Sequence, residues 1–551
     1  MSTFSGVVAR ATVVLILLNI TSKLTAVVRE ALFASHFSVS AVADAYTFAA
    51  TFPTVLFYLF AGALTTVVVP IYSEYASEGR EREAWGLFGT LFCILLSILL
   101  IVTVLGVVAA PWLVRIFGDF SDVGDIRIGL SIQLVRIMFP FLIFSGLAAL
   151  FSGLLNARNV FAVTALNGPL GNVAVILAIL LFSSQWGIYG VAVGMLAGAL
   201  AGAAVQIPSL YRAGFRFFPV APLNHPDLRR ILMLVLPITL SYSISETYII
   251  IDRYLASGLP VGSIAALNYA NKLIQMPLGL FVIAVGTAVF PTLSRQANKG
   301  DLRSLGETVR SSFRLVILIC LPAAVTLLVM RAPIATLFYK RGEFGEYALL
   351  MTMIPLFFYA FGLIGQAGEF ILVRGFFAMQ DTRTPMYLSA FAVLVNLGLC
   401  LALIGPLKHG GLALGNALAA LLNMSLLFFF LHRRLGNLWT GDLGRFVPAV
   451  LAAALAMAAA LYGLSGLLGL NTAMLPTVTI TAQAALVMSA LISGVIGLPE
   501  MSAVAVPTVR LAIQASAVAL AGCGVFLGVL ALLRVEETGL LWAGIKKLMH
   551  R

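Results

Sequence analysis

Charge is what this chain has least of. Lys, Arg, Asp and Glu together make up 10% of its 551 residues, against about 25% in soluble domains. With 61% hydrophobic residues and a mean hydropathy of +1.04, that scarcity excludes a soluble globular protein. Cysteine is nearly absent too: Cys93, Cys320, Cys400 and Cys523 lie inside apolar runs. They show neither disulfide-framework nor metal-ligand spacing and read as packing residues. No Walker A sequence, HExxH motif, DxD pair or assembled nucleophile and base is present, so an enzyme has little support. Bases outnumber acids, 34 to 22, for a formal charge of +12. They stand in ones and twos at the ends of apolar segments, the positive-inside pattern of a protein among anionic lipids. No nucleic-acid partner is needed to explain them.

Long apolar runs are what remains. Their length favours membrane helices over the short alternating strands of a barrel. Candidate spans fall near 10–36, 41–72, 85–112, 126–153, 160–183, 187–211, 229–254, 262–292, 308–331, 347–373, 384–404, 410–432, 445–468 and 507–533. The first continues through Thr21, Ser22 and Lys23 without a cleavage site and is a span, not a signal peptide. The expected fold is an all-α polytopic membrane protein of about 14 transmembrane helices, two six-helix pseudo-repeats plus a C-terminal pair. Residues 1–220 form the N-terminal lobe, 221–436 the C-terminal lobe, and 437–551 the additional helices with an apolar insert near 471–500. The bases sort onto alternate connections, Lys340 and Arg341 excepted, which puts both termini in the cytoplasm and makes the insert re-entrant or interfacial.

The halves echo one another. Asp44, Thr47, Thr51, Pro53 and Gly62 match Asn268, Asn271, Gln275, Pro277 and Gly286 at a constant offset; Phe151–Arg158 pairs with Phe376–Arg383, and the run from Gly187 with that from Gly410. Transporters built from repeats hold substrate near the midplane between them, so the polar stripes of spans 2 and 8 are expected to face one cleft. Pro53, Gly62, Pro277 and Gly286 break or soften these helices as hinges would.

The sharpest signal is Asn268, Asn271, Lys272 and Gln275, at i, i+3, i+4 and i+7 in an apolar segment, one face of a helix. A lysine at bilayer depth costs roughly 2.5–3.5 kcal/mol, tolerable when the stripe meets a wet cavity or polar ligand; the alternative is polar glue between helices. Span 1 adds Lys23, Arg29 and Glu30, span 7 adds Glu246, Asp252 and Arg253, and span 10 ends with Glu369 and Arg374. Lys23 and Glu30, seven apart, could form a packing ion pair. The cations suit an anionic substrate carrying phosphate or carboxylate. Asp252 could bind a coupling cation, or pair with Arg253.

Several motifs resemble those of the MurJ (MviN) lipid II flippase family of the MOP exporter superfamily. They are Thr21-Ser-Lys-Leu-Thr-Ala-Val-Val-Arg-Glu-Ala, Ala43-Asp-Ala-Tyr, Val69-Pro-Ile-Tyr-Ser-Glu-Tyr, Tyr269-Ala-Asn-Lys-Leu-Ile-Gln-Met-Pro-Leu-Gly, Tyr339-Lys-Arg-Gly-Glu-Phe and Phe376-Phe-Ala-Met-Gln-Asp-Thr-Arg-Thr-Pro. The resemblance implies a monomeric, multi-pass bacterial inner-membrane protein that moves an undecaprenyl-pyrophosphate-linked peptidoglycan precursor by alternating access. It implies that Lys23, Arg29 and Lys272 meet the pyrophosphate, that Asp44 is an acidic position of helix 2, and that Asp252, with Glu246 nearby, holds a coupling Na+ or H+; no other cofactor follows. Where the family usually has a basic pair and then an acid on helix 2, Phe57, Tyr58 and Gly62 stand here. Lysine replaces arginine at Lys23 and Lys272, and Asn271 replaces an aspartate. An O-antigen or exopolysaccharide lipid-linked oligosaccharide flippase is the alternative, ahead of a cation-coupled drug exporter or a cell-wall scaffold.

Overall fold

A computed structural model describes residues 2–120, 125–215, 225–436, 438, 441–468, 470, 508–533 and 535. The insert 471–500 and the basic tail lie outside the described residues. Regular structure among those described is helical throughout. Among the described residues, twelve helices are long and apolar enough to cross a bilayer: Ala41–Ser77 (span 2), Glu81–Phe117 (3), Ile126–Ala157 (4), Phe161–Trp186 (5), Ile188–Arg212 (6), Ser263–Asn298 (8), Leu302–Val329 (9), Glu346–Ala378 (10), Arg383–Leu407 (11), His409–Leu435 (12), Arg445–Leu467 (13) and Leu511–Leu532 (14). Ser2–Phe37 and Pro226–Ser257 take the places of spans 1 and 7, so the polytopic helical fold expected from the apolar runs is the fold observed. Side-chain caps set several starts, because the first backbone N–H groups of a helix lack internal partners. Ser40 Oγ accepts from Ala43 N at 3.2 Å, and Asp301 Oδ1 accepts from Ser304 N at 3.0 Å.

The chain divides into two compact units, Met1–Ala265 with Arg341–Phe344, and Ala266–Lys340 with Gly345–Arg551. In the first, span 2 packs against spans 4 and 7, and span 1 packs on span 5. Span 7, which the repeat counts with the second half, belongs by its packing to this unit. Its core gathers Tyr72, Trp85, Phe88, Phe151 and Phe215.

In the second unit, span 10 packs on spans 9 and 12. Lipid supplies no hydrophobic force between helices, so association depends on close backbone approach at small residues. A Cβ on Gly365 would lie 2.6 Å from the Ala420 carbonyl carbon, and one on Gly368 2.4 Å from Met424 Sδ. Glycine lets spans 10 and 12 touch there.

The repeat is written in the turns. Among the described residues, all those with positive φ except Gly342 recur in pairs: Ser38 and Gly262, Gly79 and Gly300, Asn159 and Gln380, Gly187 and Lys408, Gly214 and Gly436. The first pair is 224 residues apart, as are Pro53 and Pro277, whereas Gly79 and Gly300 are 221 apart, as are Pro70 and Pro291. Three residues are therefore missing from span 8 relative to span 2, between its prolines. The π-helical turn Leu278–Val282 lies in that stretch, and wider turns of this kind absorb such a change of register. The pairings of Phe151 with Phe376 and of Gly187 with Gly410 read from sequence are displaced from the register of the turns, which puts Gly187 opposite Lys408. Glycine-rich runs slide along one another without penalty in a sequence comparison.

Gly187 has φ 54°, ψ −134° and Lys408 φ 51°, ψ −132°. That region is nearly closed to a residue with a Cβ and costs about 1–3 kcal/mol. Lys408→Gly is expected to stabilise the purified protein by about 1 kcal/mol, net of glycine's added unfolded-state entropy, and so to raise its thermal unfolding midpoint. A lowered midpoint would show that contacts of the lysine outweigh its backbone strain.

Candidate functional site

In the first unit the basic residues of span 1 divide in role. Arg29 Nη1 donates to Asn172 Oδ1 at 3.0 Å, and its Nη2 lies 3.4 Å from Glu30 Oε2. Asn172 returns its Nδ2 to the Ser22 carbonyl at 3.0 Å and to Thr25 Oγ1 at 3.2 Å, so one buried amide on span 5 holds both the guanidinium and the helix that bears it. Lys23, nearly two turns before Arg29, is exposed. Glu30 pairs with its neighbour Arg29 rather than forming the Lys23–Glu30 pair that the heptad spacing allows. Tyr58 on span 2 is exposed and lies within electrostatic reach of Arg29 and of Glu246 on span 7, whose Oε2 is buried without a hydrogen-bond partner. Phe57 packs on Phe141.

Asp44 is occupied elsewhere. It is fully buried, its Oδ2 accepts from Gly262 N at 2.7 Å and its Oδ1 from Ala265 N at 2.8 Å. The carboxylate thus caps the start of span 8, where the unpaired N–H groups and positive dipole end of a helix favour an anion. Arg127 stands behind it, Nη1 3.6 Å from Asp44 Oδ2, its Nη2 2.6 Å and Nε 2.7 Å from Asp125 Oδ2. Ser257 Oγ accepts from Asp119 N at 2.6 Å, and Ser35 O from Glu343 N at 2.8 Å. Thr47 and Thr51, the next members of the span 2 stripe, are also buried. These three members of the span 2 stripe are therefore covered, and Asp44 is engaged by backbone N–H groups of its own unit. Three-residue spacing places polar groups on one face without saying which face is covered.

In the second unit the stripe of span 8 is accessible. Lys272 and Gln275 are exposed and Asn271 partly so, while Leu273 and Ile274 behind them are buried. Asn268, also in the stripe, is half-buried. The apolar side of this segment is the one that is buried. The exposed face turns apolar after Pro277, at Leu280, Phe281 and Ile283. Gly286 is a packing position as well as a soft point, since a Cβ there would lie 2.7 Å from the Phe370 ring and 3.0 Å from Arg374 Nε. Pro53 is buried within span 2, and Gly62, further along the same helix, is half-buried. Asp252 is half-buried, and Arg253 donates to the Ile264 carbonyl at 3.4 Å. Among the described residues no three His, Cys, Asp or Glu side chains form a metal-holding group.

Two carboxyls outside the spans have shifted proton affinities. Burial pushes Asp125 up, but side-chain and backbone hydrogen bonds from Arg127 outweigh it and hold the carboxyl below its ordinary range. Asp381 is likewise pushed up by burial and brought below it by Thr384 and the Arg434 guanidinium. Arg127 and Asn172 escaped notice in the sequence. The available signals were an Arg in the first turn of span 4 and a lone Asn in an apolar run.

A family model described as lipid II flippase MurJ matches residues 33–482. A probable lipid II flippase MurJ of Rhizobium meliloti (strain 1021) is 32% identical over 465 residues, covering 80% of this chain and 84% of the relative. The lipid II flippase MurJ of Burkholderia cenocepacia is 30% identical over 421 residues, covering 75% and 81%. Among solved structures, a lipid II flippase MurJ in an inward closed conformation aligns with TM-score 0.73 at 22% identity over 93% of this chain and 98% of that one. An inward-facing multidrug resistance MATE transporter of the MOP superfamily aligns with TM-score 0.66 at 13% identity over 77% and 98%. At these identities the structural likenesses speak to fold.

Proposed function

The chain belongs to the lipid II flippase MurJ family, and from that premise we propose that it carries lipid II across the bacterial inner membrane by alternating access. It is a multi-pass transporter, not an enzyme. The observation that carries the reading to particular residues is the exposure of Lys272 and Gln275 on a helix whose other side is buried. In this reading Lys272, Lys23 and Arg29 attract the pyrophosphate, and Asn268, Asn271 and Gln275 hydrogen-bond sugar and amide groups of the headgroup. The polyprenyl tail stays in lipid. Pro277 with its π-helical turn, Pro53, Gly62 and Gly286 let the helices bend as access alternates. Asp252 and Glu246 of span 7 serve a coupling Na+ or H+. The protein works as a monomer with both termini in the cytoplasm.

The test is rescue of a bacterium depleted of its own lipid II flippase. Expression of this chain is expected to restore growth and outward appearance of labelled lipid II. Phe57 and Tyr58, where the family's helix 2 is basic, favour a second reading as an O-antigen-type flippase. Failure to rescue, together with rescue of an O-antigen flippase deletion, would establish that instead.

A further inference from the structure

Glu369 lies on span 10, nine residues before its end at Ala378. At 1.5 Å per residue that is about 14 Å inside a helix about 50 Å long, within the hydrocarbon band of about 30 Å centred on it. It is half-buried, and the contact of Gly368 with Met424 sets the neighbouring Asn423 of span 12 beside it. Asn423 is 4% exposed, its Nδ2 donates to Ser389 Oγ on span 11 at 3.4 Å, and its Oδ1 is buried with no partner. The close approach at Gly365 and Gly368 is what brings span 12 this near.

The cations of the surrounding helices are turned elsewhere. Arg314 of span 9 lies over the Phe446 ring, Arg331 of the short helix Arg331–Tyr339 over Phe357, and Arg374 of span 10 itself over Phe370. On span 12, His409 meets the Met351 carbonyl, His432 stacks on Phe428, Arg433 lies over Phe429 and Arg434 pairs with Asp381. Arg295 of span 8 bonds its own helix at the Pro291 carbonyl. The thiols Cys320 and Cys400 and the phenols Tyr339 and Tyr387 supply no cation. Arg303, Glu307, Arg310 and Arg383 stand near the opening turns of spans 9 and 11.

A carboxylate held in hydrocarbon without a cation is costly, and taking up a proton removes the charge. A fixed arginine would lock the ionised state. An amide does not: its N–H2 donates to a carboxylate, and turned over, its oxygen accepts from a carboxylic acid; a serine hydroxyl serves both states as well. We propose that Glu369, with Asn423 and Ser389, is a proton-binding site of the second unit, taking up one proton from water and returning it as the amide turns. Its use in driving transport rests on the flippase reading; its existence does not.

The test is infrared difference spectroscopy of the full chain in lipid nanodiscs during a pH titration. A protonated-carboxyl band that titrates in the wild type and is lost in Glu369→Gln is expected, with a shifted midpoint in Asn423→Ala, which keeps the carboxyl. A titrating band unchanged in Glu369→Gln, or unmoved in Asn423→Ala, overturns the site. In proteoliposomes at fixed membrane potential, wild-type lipid II translocation should respond to an imposed pH gradient and Glu369→Gln should lose that response; equal responses overturn its role in coupling. A wild type that moves no lipid II under any gradient overturns the function, and the band still decides the site.

Discussion

Lys272→Glu is expected to abolish rescue of a flippase-depleted cell at wild-type protein level. Two unit charges 4 Å apart interact by about 4 kcal/mol at an effective dielectric constant of 20. Reversal turns that attraction for a phosphate into repulsion of like size, more than enough to empty a site of micromolar affinity. Folding should survive the change, because Lys272 is exposed and the residues that seat the helix, Leu273 and Ile274, are buried behind it. Lys272→Arg, which keeps the charge and adds a fork of donors, should retain rescue. Growth supported by the glutamate variant at normal abundance would remove Lys272 from substrate recognition and favour a scaffold that recruits cell-wall enzymes.

Arg127→Met should strongly destabilise the first unit. Arg127 is 3% exposed and stands between Asp44 and Asp125. Removing it leaves Asp125 without its cation and takes the nearer one from Asp44, a loss of about 3–5 kcal/mol. The pH dependence separates this from simple mispacking. In the wild type the Asp125 carboxyl is held below its ordinary range, so its contribution is full above about pH 4, the unfolded value, and fades as pH falls through the folded one. In the variant burial acts on Asp125 without the arginine, the folded value lies above the unfolded one, and acid relieves the penalty. The stability gap between wild type and variant should therefore narrow as pH is lowered from neutral toward 4. A gap that holds constant across that range would assign the loss to packing. Arg127→Met combined with Asp125→Asn should recover part of it.

The crossings were legible because hydrocarbon imposes a blunt rule of length and apolarity, and every span proposed from the apolar runs is a helix. The accessible stripe of span 8 was legible for a related reason: four polar groups at helical spacing in an apolar run must face something other than lipid. Its counterpart in span 2 shows the limit of that inference. Asp44 has the spacing of a ligand-facing residue, yet two backbone N–H groups from a turn some 218 positions later consume its carboxylate. Nothing local in the sequence encodes a partner so distant. The same holds for Asn172, whose role is fixed by Arg29 lying 143 residues away.

The paired left-handed turns bear on ancestry and on engineering. Glycine occupies both members at Gly79 and Gly300 and at Gly214 and Gly436, but Gly187 is matched in the repeat by Lys408 and Ser38 by Gly262. Backbone shape has outlasted residue identity, as expected of a duplicated six-helix precursor whose corners could not be redrawn while its surfaces diverged. The corners of one half are thus a template for mending those of the other, with no need to consult any second protein.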